Sequence, residues 1–382
     1  MAARISVIDL FAGAGGLSLG AVAAGADVRL SVDNDADSCK TLEANPEALG
    51  GGAVMCADVA GLSGQDLLSS AGLDRGDPLL VIGGAPCQPF SKAAYWVEAG
   101  DEAAYRRARA AGDAVERPAP PEFARPDDRR TLVEEFWRLV DECDADGFVF
   151  ENVRSITHPR NKPVLEALEN AARGRGYKLR FAALNAADFG VPQRRQRVFL
   201  IGSKQGRPEG PEETHAPAAS AEELGRDPYE VAGPALAPYA GADYFEPEEV
   251  VEGRWAEHLT TVPPGGNYKA HTAWGGHPNP TWETETRYWN FLLKLSPELP
   301  SWTVNASPGP WTGPFHWDSR RLRTPELAAL QTFPDGYRFV GSRRERVRQI
   351  GNAVPVRLAA AVVEVAVAAL CEQGEPLLQS AA

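Results

Sequence analysis

The chain has few cysteines and no CxxC pair. Five cysteines, an odd number, are scattered over 382 residues. This pattern argues against a disulfide framework and against a structural zinc site, so we predict no metal and a reducing, cytoplasmic location. One thiol is a candidate for reactivity, and we expect the others to be small buried hydrophobic residues. The five are Cys39, Cys56, Cys87, Cys143 and Cys371.

Long hydrophobic runs are also missing. No apolar stretch reaches the length that a bilayer span requires. The first residues, "MAARISVIDLF", lead directly into strand-like sequence without the layout of a signal peptide. We therefore expect no membrane partner.

The chain lacks net positive charge, since its formal charge is −13. That sign argues weakly against a nucleic-acid partner, but the charge is unevenly distributed. Residues 208–258 hold thirteen Asp or Glu against two Arg, whereas 152–207 hold twelve Lys or Arg against three acids and 320–348 hold eight Arg against three. Ordinary solvated faces also produce such runs. Two basic stretches are nevertheless compatible with a local positive face, so nucleic acid is not excluded.

Short apolar runs alternate with helical patterns in the first two hundred residues. This alternation predicts an α/β fold with a doubly wound, mostly parallel sheet. Strands are predicted over 4–11, 78–86, 146–153 and 196–203, and amphipathic helices over 130–143 and 163–176.

The later sequence has a different texture. Between 205 and 320, Pro, Gly and Trp become frequent and helical periodicity fades, which predicts a smaller, irregular or β-rich domain. Residues 355–374 predict one long, largely buried helix. The expected organisation is therefore a first domain over 1–204, a second over 205–320, and a hinge with a returning C-terminal helix over 321–382.

A glycine-rich turn and two acidic residues predict a nucleoside-type cofactor. The turn "DLFAGAGGLSLG" (9–20) allows close approach of a ligand to the backbone, although it does not match the GxGxxG pattern. The next strand ends in "VDND", which places Asp33 where an acid can accept hydrogen bonds from ribose hydroxyls. "MCADV" offers Asp58 for an adenine amino group. Each acid alone is equally typical of a helix N-cap.

"GGAPCQPFS" (83–91) ends a predicted strand with a thiol. Pro86 and Pro89 fix the backbone on both sides of Cys87, and strand ends are where α/β proteins place ligand chemistry. A thiol with a reference pKa of about 8.5 needs positive surroundings to act as a thiolate at neutral pH. These features favour a nucleophile over an inert buried cysteine.

Two further motifs carry ionisable side chains. "FVFENVRS" places Glu151 after an apolar run, where partial desolvation raises a carboxyl pKa and allows proton donation. A glutamate that begins a helix is the alternative. "VPQRRQRVF" places Arg195 and Arg197 on one face of an extended segment, where each guanidinium can bind a carbonyl, a phosphate or a carboxylate.

The order of these motifs resembles the DNA cytosine-5 methyltransferases over nearly the whole chain. The resemblance runs from "DLFAGAGGLSLG" through "PCQPFS", "ENV", "QRRQR" and "RLRTPELAALQTFP" to "QIGNAVP". It implies a Rossmann-like S-adenosyl-L-methionine methyltransferase domain and a smaller target-recognition domain. It also implies that a cytosine is flipped out of double-stranded DNA.

The resemblance also implies residue roles. Cys87 would add to C6 of cytosine, and Glu151 would hold the N3/N4 edge and supply a proton. Arg197 would contact the cytosine O2, and Arg195 would support the site or a phosphate. Cofactor contacts are implied for Phe11, Gly13, Gly15, Asp33, Asn34, Asp58, Pro86 and Asn352. Contacts to the DNA are implied for Gln88, Ser91, Asn152 and Gln193.

Three features depart from the family pattern. Asp33 stands where the family usually has Glu, which shortens the reach to a ribose. The 92–126 loop is longer than usual, and its role is left open. The acidic 208–258 segment is unusual for a domain that reads DNA, and we expect it to face away from the duplex.

Alternative functions are weighed against the same residues. An RNA (tRNA) cytosine-5 methyltransferase shares the chemistry, but a Trp-rich 205–320 region favours duplex DNA. A catalytically lapsed DNA-binding regulator is disfavoured by the intact Cys87, Glu151 and Arg197. A zinc deaminase is disfavoured because PCxxC spacing and HxE are missing. We expect a monomer located at the nucleoid, and the recognised DNA site and a companion restriction or repair endonuclease are left open.

Overall fold

The protein is described by a computed structural model. It covers residues 4–86, 90, 105, 115–116, 131–280 and 289–371.

A seven-stranded sheet forms the centre of the first two hundred residues, with the order β3-β2-β1-β4-β5-β7-β6. β1 to β5 pair in parallel, whereas β7 is antiparallel to both of its neighbours. The predicted α/β fold with a doubly wound, mostly parallel sheet is thereby confirmed. The strands are β1 (Ser6–Leu10), β2 (Asp27–Asp33), β3 (Ala53–Cys56), β4 (Leu79–Gly83), β5 (Gly147–Val153), β6 (Lys178–Asn185) and β7 (Gln196–Ser203).

Helices cover both faces of this sheet. In β4, Leu79 and Val81 pack into the hydrophobic cluster on one face, whereas Leu80 and Ile82 pack into the cluster on the other. This period of two buries the strand on both sides, as in parallel sheets covered by helices. The helices of the first two hundred residues are α1 (Gly16–Ala23), α2 (Ala36–Glu43), α3 (Gly64–Ala71), α4 (Leu132–Glu142) and α5 (Lys162–Gly174).

The region after β7 is irregular. Within the described part of 205–320, strand pairing is limited to β8 with β9 and a few isolated bridges, so the region is irregular rather than β-rich. The two domain boundaries stay predictions. The elements are β8 (His215–Ala216), α6 (Ala221–Leu224), β9 (Asp227–Pro228), α7 (Ala232–Leu236), α8 (Ala256–Thr261), α9 (Thr324–Leu330), α10 (Arg343–Asn352) and α11 (Val356–Cys371). Short 3-10 helices lie at Val59–Gly61, Arg154–Thr157, Ala186–Phe189, Ala237–Tyr239, Ala242–Tyr244, Pro247–Glu249, Tyr268–His271 and Ala273–Gly275.

The last helix, α11, returns to the sheet and packs against α1. A Cβ atom on Gly20 would lie 2.4 Å from the Cβ of Ala359, so only glycine permits this close approach. Contrary to the expectation from sequence, the apolar part of Arg343–Cys371 is long enough to span a membrane by length and composition alone. Its apolar side chains, among them Leu358 and Val362, are instead buried in the core cluster beside β1 and β4.

The acidic segment and the second basic stretch contact each other. Glu249 is paired with Arg323, and Glu246 is paired with Arg343 at 2.9 Å. Five of the eight arginines between 320 and 348 form ion pairs with carboxylates, so this stretch contributes less positive surface than its sequence predicts. Part of the acidic segment therefore serves to neutralise arginines within the fold.

Candidate active site

A cavity of about 590 Å³ opens at the carboxyl ends of the parallel strands. This is the edge of an α/β sheet at which ligands bind, because the loops after neighbouring strands meet there. The structure brings most of the predicted site residues together around this one cavity. They are Phe11, Gly13, Asp33, Asn34, Asp58, Pro86, Glu151, Arg197 and Asn352.

The glycine-rich turn forms one wall of the cavity. Gly13 has a φ of +55°, and open space lies where its Cβ would be, so the backbone itself faces the cavity. Gly16 begins α1 and also lines the cavity. Gly15 does not: a Cβ there would lie 3.0 Å from Leu42 and from the hydroxyl oxygen of Tyr337. Gly15 therefore packs beside the cavity wall without lining the cavity, and its cofactor contact stays a prediction.

Asp33, at the end of β2, is held by two backbone N–H groups. Gly13 donates to Oδ2 and Asp35 donates to Oδ1, each at 2.8 Å. Burial raises the pKa of Asp33, and the two backbone hydrogen bonds partly offset that effect. Because a carboxylate oxygen has two lone pairs, each oxygen keeps the capacity to accept one ribose hydroxyl.

Asp58 caps a short helix and also lines the cavity, and its contact with an adenine amino group stays a prediction. Its Oδ1 accepts a hydrogen bond of 3.0 Å from the amide of Ala60, so Asp58 caps a short 3-10 helix. The same residue lines the cavity beside Ala57 and Val59. Capping therefore fixes the residue at the cavity edge and leaves Oδ2 as a further acceptor.

Glu151 and Arg197 form an ion pair in the cavity wall. Arg197 Nε lies 2.8 Å from Glu151 Oε1, and the two side chains are 11% and 10% exposed. Burial raises the pKa of Glu151, while the charges of Arg197 and Arg195 oppose that rise. The pair therefore combines a desolvated carboxyl group with a cation that faces the same space.

Arg195 lies behind the cavity. It shares the inward face of the segment with Arg197, as the alternation predicts, but its side chain is fully buried. It donates hydrogen bonds to the carbonyl of Val304 at 3.1 Å and to that of Gly351 at 2.6 Å. Full burial contradicts a phosphate contact, whereas a supporting position matches the other predicted role.

Two predicted DNA contacts are wrong, because the side chains are fully buried. Asn152 donates a hydrogen bond of 3.1 Å to the carbonyl of Ala85 and thereby joins β5 to the turn after β4. Gln193 donates to the carbonyl of Leu330 at 2.9 Å and accepts from the amide of Val304 at 3.0 Å. Both amides therefore position backbone near the cavity.

The sequence did not identify Arg348 and Asp35 as site residues. Both line the cavity, and Arg348 Nη2 lies 2.8 Å from Asp35 Oδ1. Gln349, the next residue, also lines the cavity and accepts a hydrogen bond of 2.7 Å from Thr41. These contacts join α10 to α2 across the cavity edge. Arg348 directly precedes the "QIGN" motif, and this position could have identified it as a site residue.

A buried acid lies beneath the glycine-rich turn. Asp9 in β1 accepts a hydrogen bond of 2.6 Å from the hydroxyl of Ser18, which is also 3.1 Å from Ser31 Oγ. Burial raises the pKa of Asp9 to about 7. This cluster ties β1 and β2 to the first turns of α1.

Several predicted residues lie outside the described part of the chain. They are Cys87, Gln88 and Ser91, together with nearly all of the 92–126 loop. The residue before the thiol, Pro86, lines the cavity, and Phe90 is fully buried. No cluster of three metal-binding side chains occurs within the described ranges, and the absence of a metal stays a prediction.

Comparisons with known proteins match this arrangement. The C-5 cytosine-specific DNA methylase model matches residues 5–105 and 123–367. The type II methyltransferase M.SacI of Streptomyces achromogenes is 36% identical over 398 residues, covering 97% of this chain and 93% of that protein. M1.HphI of Haemophilus parahaemolyticus, also a type II methyltransferase, is 33% identical and covers 94% and 86%.

Solved structures share the fold. A prophage-encoded Escherichia coli protein described as a DNA modification methyltransferase gives a TM-score of 0.61 at 23% identity, covering 96% of this chain and 99% of that one. The Dnmt2 methyltransferase of S. pombe gives 0.57 at 15% identity, covering 96% and 99%. The matched family model and the similarity to M.SacI together show that the chain belongs to the C-5 cytosine-specific DNA methylases and is a DNA (cytosine-5-)-methyltransferase.

Proposed function

We propose that this enzyme methylates a cytosine within a short sequence of double-stranded DNA, with S-adenosyl-L-methionine as methyl donor. The observation that carries the proposal is the Glu151–Arg197 pair, which faces the same cavity as Asp33 and Pro86. The acid that would bind the cofactor and the ion pair that would bind the target base thus line the same cavity. The residue after Pro86 is the candidate nucleophile, Cys87.

The donor groups of the cavity fit S-adenosyl-L-methionine. Asp33 would accept the ribose hydroxyls, Asp58 would accept the adenine amino group, and the backbone at Gly13 leaves room for close approach. Asn352 lines the other side of the cavity and would supply an amide donor. When bound, this cofactor supplies an electrophilic methyl group.

Glu151 and Arg197 would bind the target base through its polar edge. A carboxyl group can accept from the exocyclic N4 amine and donate to N3, and a guanidinium can donate to O2. Burial raises the pKa of Glu151, which favours the protonated form that N3 requires. Proton donation to N3 withdraws electrons from the ring and makes C6 electrophilic.

Cys87 would then act as the nucleophile. Its thiolate forms a bond to C6, and the electron pair of the C5–C6 double bond becomes available at C5 for methylation. Loss of the C5 proton to a base restores the double bond and expels the thiolate. Arg197, as the cation of the cavity wall, would favour the thiolate over the thiol.

The biological setting follows from the relatives. The two named above are type II methyltransferases of bacteria, which supports a role in a restriction–modification or host-defence system with a companion endonuclease. We further propose that the enzyme acts as a monomer on DNA in the cytoplasm.

Replacement of the nucleophile tests the proposal. We expect Cys87→Ser to abolish methyl transfer to DNA, because a serine hydroxyl is far less ionised than a thiol at neutral pH. Binding of S-adenosylhomocysteine by calorimetry is the control, and it should match the wild type. Transfer of a labelled methyl group is measured to DNA and to RNA side by side. Retained transfer by the variant, or wild-type transfer to RNA alone, contradicts the proposal.

The DNA site itself needs a direct measurement. Bisulfite sequencing of DNA from cells that express the wild type should show one methylated sequence context. Folded enzyme without any methylated context would contradict sequence-specific methylation.

A further inference from the structure

We propose that four side chains, Arg194, Trp302, Trp289 and Lys269, form a DNA-contacting surface beside the catalytic cavity. We call them the tryptophan strip. In it, the two cations would bind phosphates, and the exposed Trp289 ring would pack against a base. The inference rests on the proposed function and adds to it the residues that hold the DNA.

The four side chains form a continuous series of cation, ring, ring and cation. The guanidinium carbon of Arg194 lies 5.8 Å from the ring centroid of Trp302. The rings of Trp302 and Trp289 are 5.4 Å apart with an interplanar angle of 72°. Lys269 Nζ lies 5.1 Å from the ring of Trp289. The distances are those of cation–π and edge-to-face contacts, which order the side chains.

The strip is joined to the cavity wall by backbone hydrogen bonds. The amide of Arg194 donates to the carbonyl of Ser301, and the amide of Ser301 donates to the carbonyl of Pro192, both at 2.8 Å. The hydroxyl of Thr303 donates to the carbonyl of Arg194, also at 2.8 Å. Trp302 therefore lies on a segment paired with the one that carries Arg197 into the cavity.

Side chains along residues 194–197 alternate between the inside of the protein and its exposed surface. Arg195 and Arg197 face inward, whereas Arg194 and Gln196 are exposed on the opposite side. Gln196 also accepts a hydrogen bond of 3.0 Å from Arg154, an exposed cation directly after the strand that carries Glu151. The exposed polar surface thus continues from the tryptophan strip to the strand end at the cavity.

The far end of the strip is fixed by one buried amide. Asn267 is 5% exposed, and its Nδ2 donates a hydrogen bond of 2.8 Å to the carbonyl of Trp289. Its Oδ1 accepts a hydrogen bond of 3.1 Å from the amide of Lys269. Trp289 is nevertheless 46% exposed, which leaves much of its indole open to a partner. The strip is therefore ordered before any ligand binds.

The chemistry of the strip fits nucleic acid. Arg and Lys bind phosphates without regard to sequence, and indole rings stack on bases. On a protein with a formal charge of −13, cations held beside aromatic rings are informative, because phosphates are attracted to local positive charge. A single exposed aromatic residue carries no such meaning, but this one is bracketed by cations and joined to the base-binding wall.

Substitution of each cation tests the phosphate contacts. We expect Arg194→Gln and Lys269→Gln each to reduce the slope of log Kd against log salt by about 0.9, the value for one phosphate on duplex DNA. The measurement is fluorescence anisotropy with a short duplex that contains the methylated site, over a series of salt concentrations. The matched control is Arg175→Gln, an arginine exposed at the opposite edge of the sheet and paired with Asp141.

Substitution of the ring tests stacking. We expect Trp289→Ala to weaken DNA binding by roughly 5- to 100-fold, as for loss of one base–aromatic stack, without a change in the salt slope. Trp289→Phe keeps a ring and should recover part of the affinity. Binding of S-adenosylhomocysteine should be unchanged in all variants, which separates a DNA contact from a loss of folding.

The outcomes distinguish the strip from the proposed function. Wild-type salt slopes in both cation variants, or wild-type affinity in Trp289→Ala, would overturn the strip while methylation by the wild type stands. A wild type that binds duplex DNA but methylates only RNA would overturn the proposed function and leave the strip to be decided by the same slopes. No duplex binding by the wild type would overturn both.

Discussion

At the scale of single residues, the site depends on how closely the turn after β4 approaches Glu151. A Cβ atom built on Gly84 would lie 2.6 Å from Glu151 Oε2, well inside van der Waals contact. Asn152 holds the same turn through the carbonyl of Ala85. The spacing between the thiol-bearing turn and the carboxyl group is therefore set by the lack of one side chain.

We predict that Gly84→Ala reduces kcat for methyl transfer by about 100-fold, because displacement of Glu151 by roughly 1 Å is enough to misplace a catalytic group. Single-turnover transfer of labelled methyl to DNA measures the effect. S-adenosylhomocysteine affinity should change little, since Asp33 ends β2 and Gly13 lies in the turn after β1. A variant with wild-type kcat would show that the carboxyl group tolerates displacement.

The environment of a single residue could be predicted from the sequence where residues close to it in the chain determine its burial. Glu151 lies in β5 directly after the apolar residues 148–150, so its burial could be predicted from local sequence. The burial of Gln193 was not predicted, because its hydrogen-bond partner, the carbonyl of Leu330, lies more than a hundred residues away in the chain. Local sequence does not encode such distant partners.

At the scale of elements, the acidic segment is attached to the C-terminal third of the chain by buried ion pairs. Arg323 contacts both oxygens of Glu249, with Nη2 to Oε1 at 3.0 Å, and also donates to the carbonyls of Tyr239 and Gly241. Both charged side chains are 8% exposed. One arginine therefore fixes an irregular loop against the start of α9.

We predict that Glu249→Gln lowers the free energy of unfolding by about 3 kcal/mol, because it removes the carboxylate that binds the buried Arg323 guanidinium through both of its oxygens. Urea denaturation at pH 7 measures the change. The matched control is Glu248→Gln, at an exposed neighbouring position, which should stay within about 0.5 kcal/mol of the wild type. Equal effects at both positions would contradict a specific role for the pair.

The Glu249–Arg323 pair also predicts how the stability of the protein changes with pH. Hydrogen bonds from Arg323 hold the pKa of Glu249 below its ordinary value of 4.5. The pair therefore contributes its full stability above pH 4.5 and loses it as the pH falls through the lowered pKa. The stability difference between Glu249→Gln and the wild type should shrink below that pH. An unchanged difference at low pH would contradict this linkage.

Sequence patterns predicted the buried strands better than the exposed ones. β4 and β7 are apolar over most of their length and were predicted over 78–86 and 196–203. The edge strand β6, "KLRFAALN", was missed, because Lys178 and Arg180 interrupt its apolar residues and only Ala182 is buried. The 205–320 region could not be predicted in detail, because its buried residues, such as Leu259, Tyr268 and Phe315, come from separate short segments and lack helix or strand periodicity.

At the scale of the whole molecule, the last helical turn of α10 joins three distant parts of the chain. Arg195 donates to the carbonyl of Gly351 from the strand segment, and Gln331 donates to the carbonyl of Ile350 at 2.6 Å. Asn352 and Gln349, on either side of Gly351, line the cofactor cavity. Gly351 therefore links the packing of the irregular region to the residues that line the cavity.

We predict that Gly351→Ala lowers the free energy of unfolding by about 1 to 3 kcal/mol, the cost of overpacking. The added Cβ would lie 2.4 Å from the Cα of Ala306, so α10 and the 305–306 backbone must separate. Because that shift moves Asn352, S-adenosylhomocysteine should also bind more weakly by calorimetry. The control is Gly174→Ala at the end of α5, where no atom lies within 4 Å of the added Cβ. Lost stability with unchanged cofactor affinity would show that the turn and the cavity are independent.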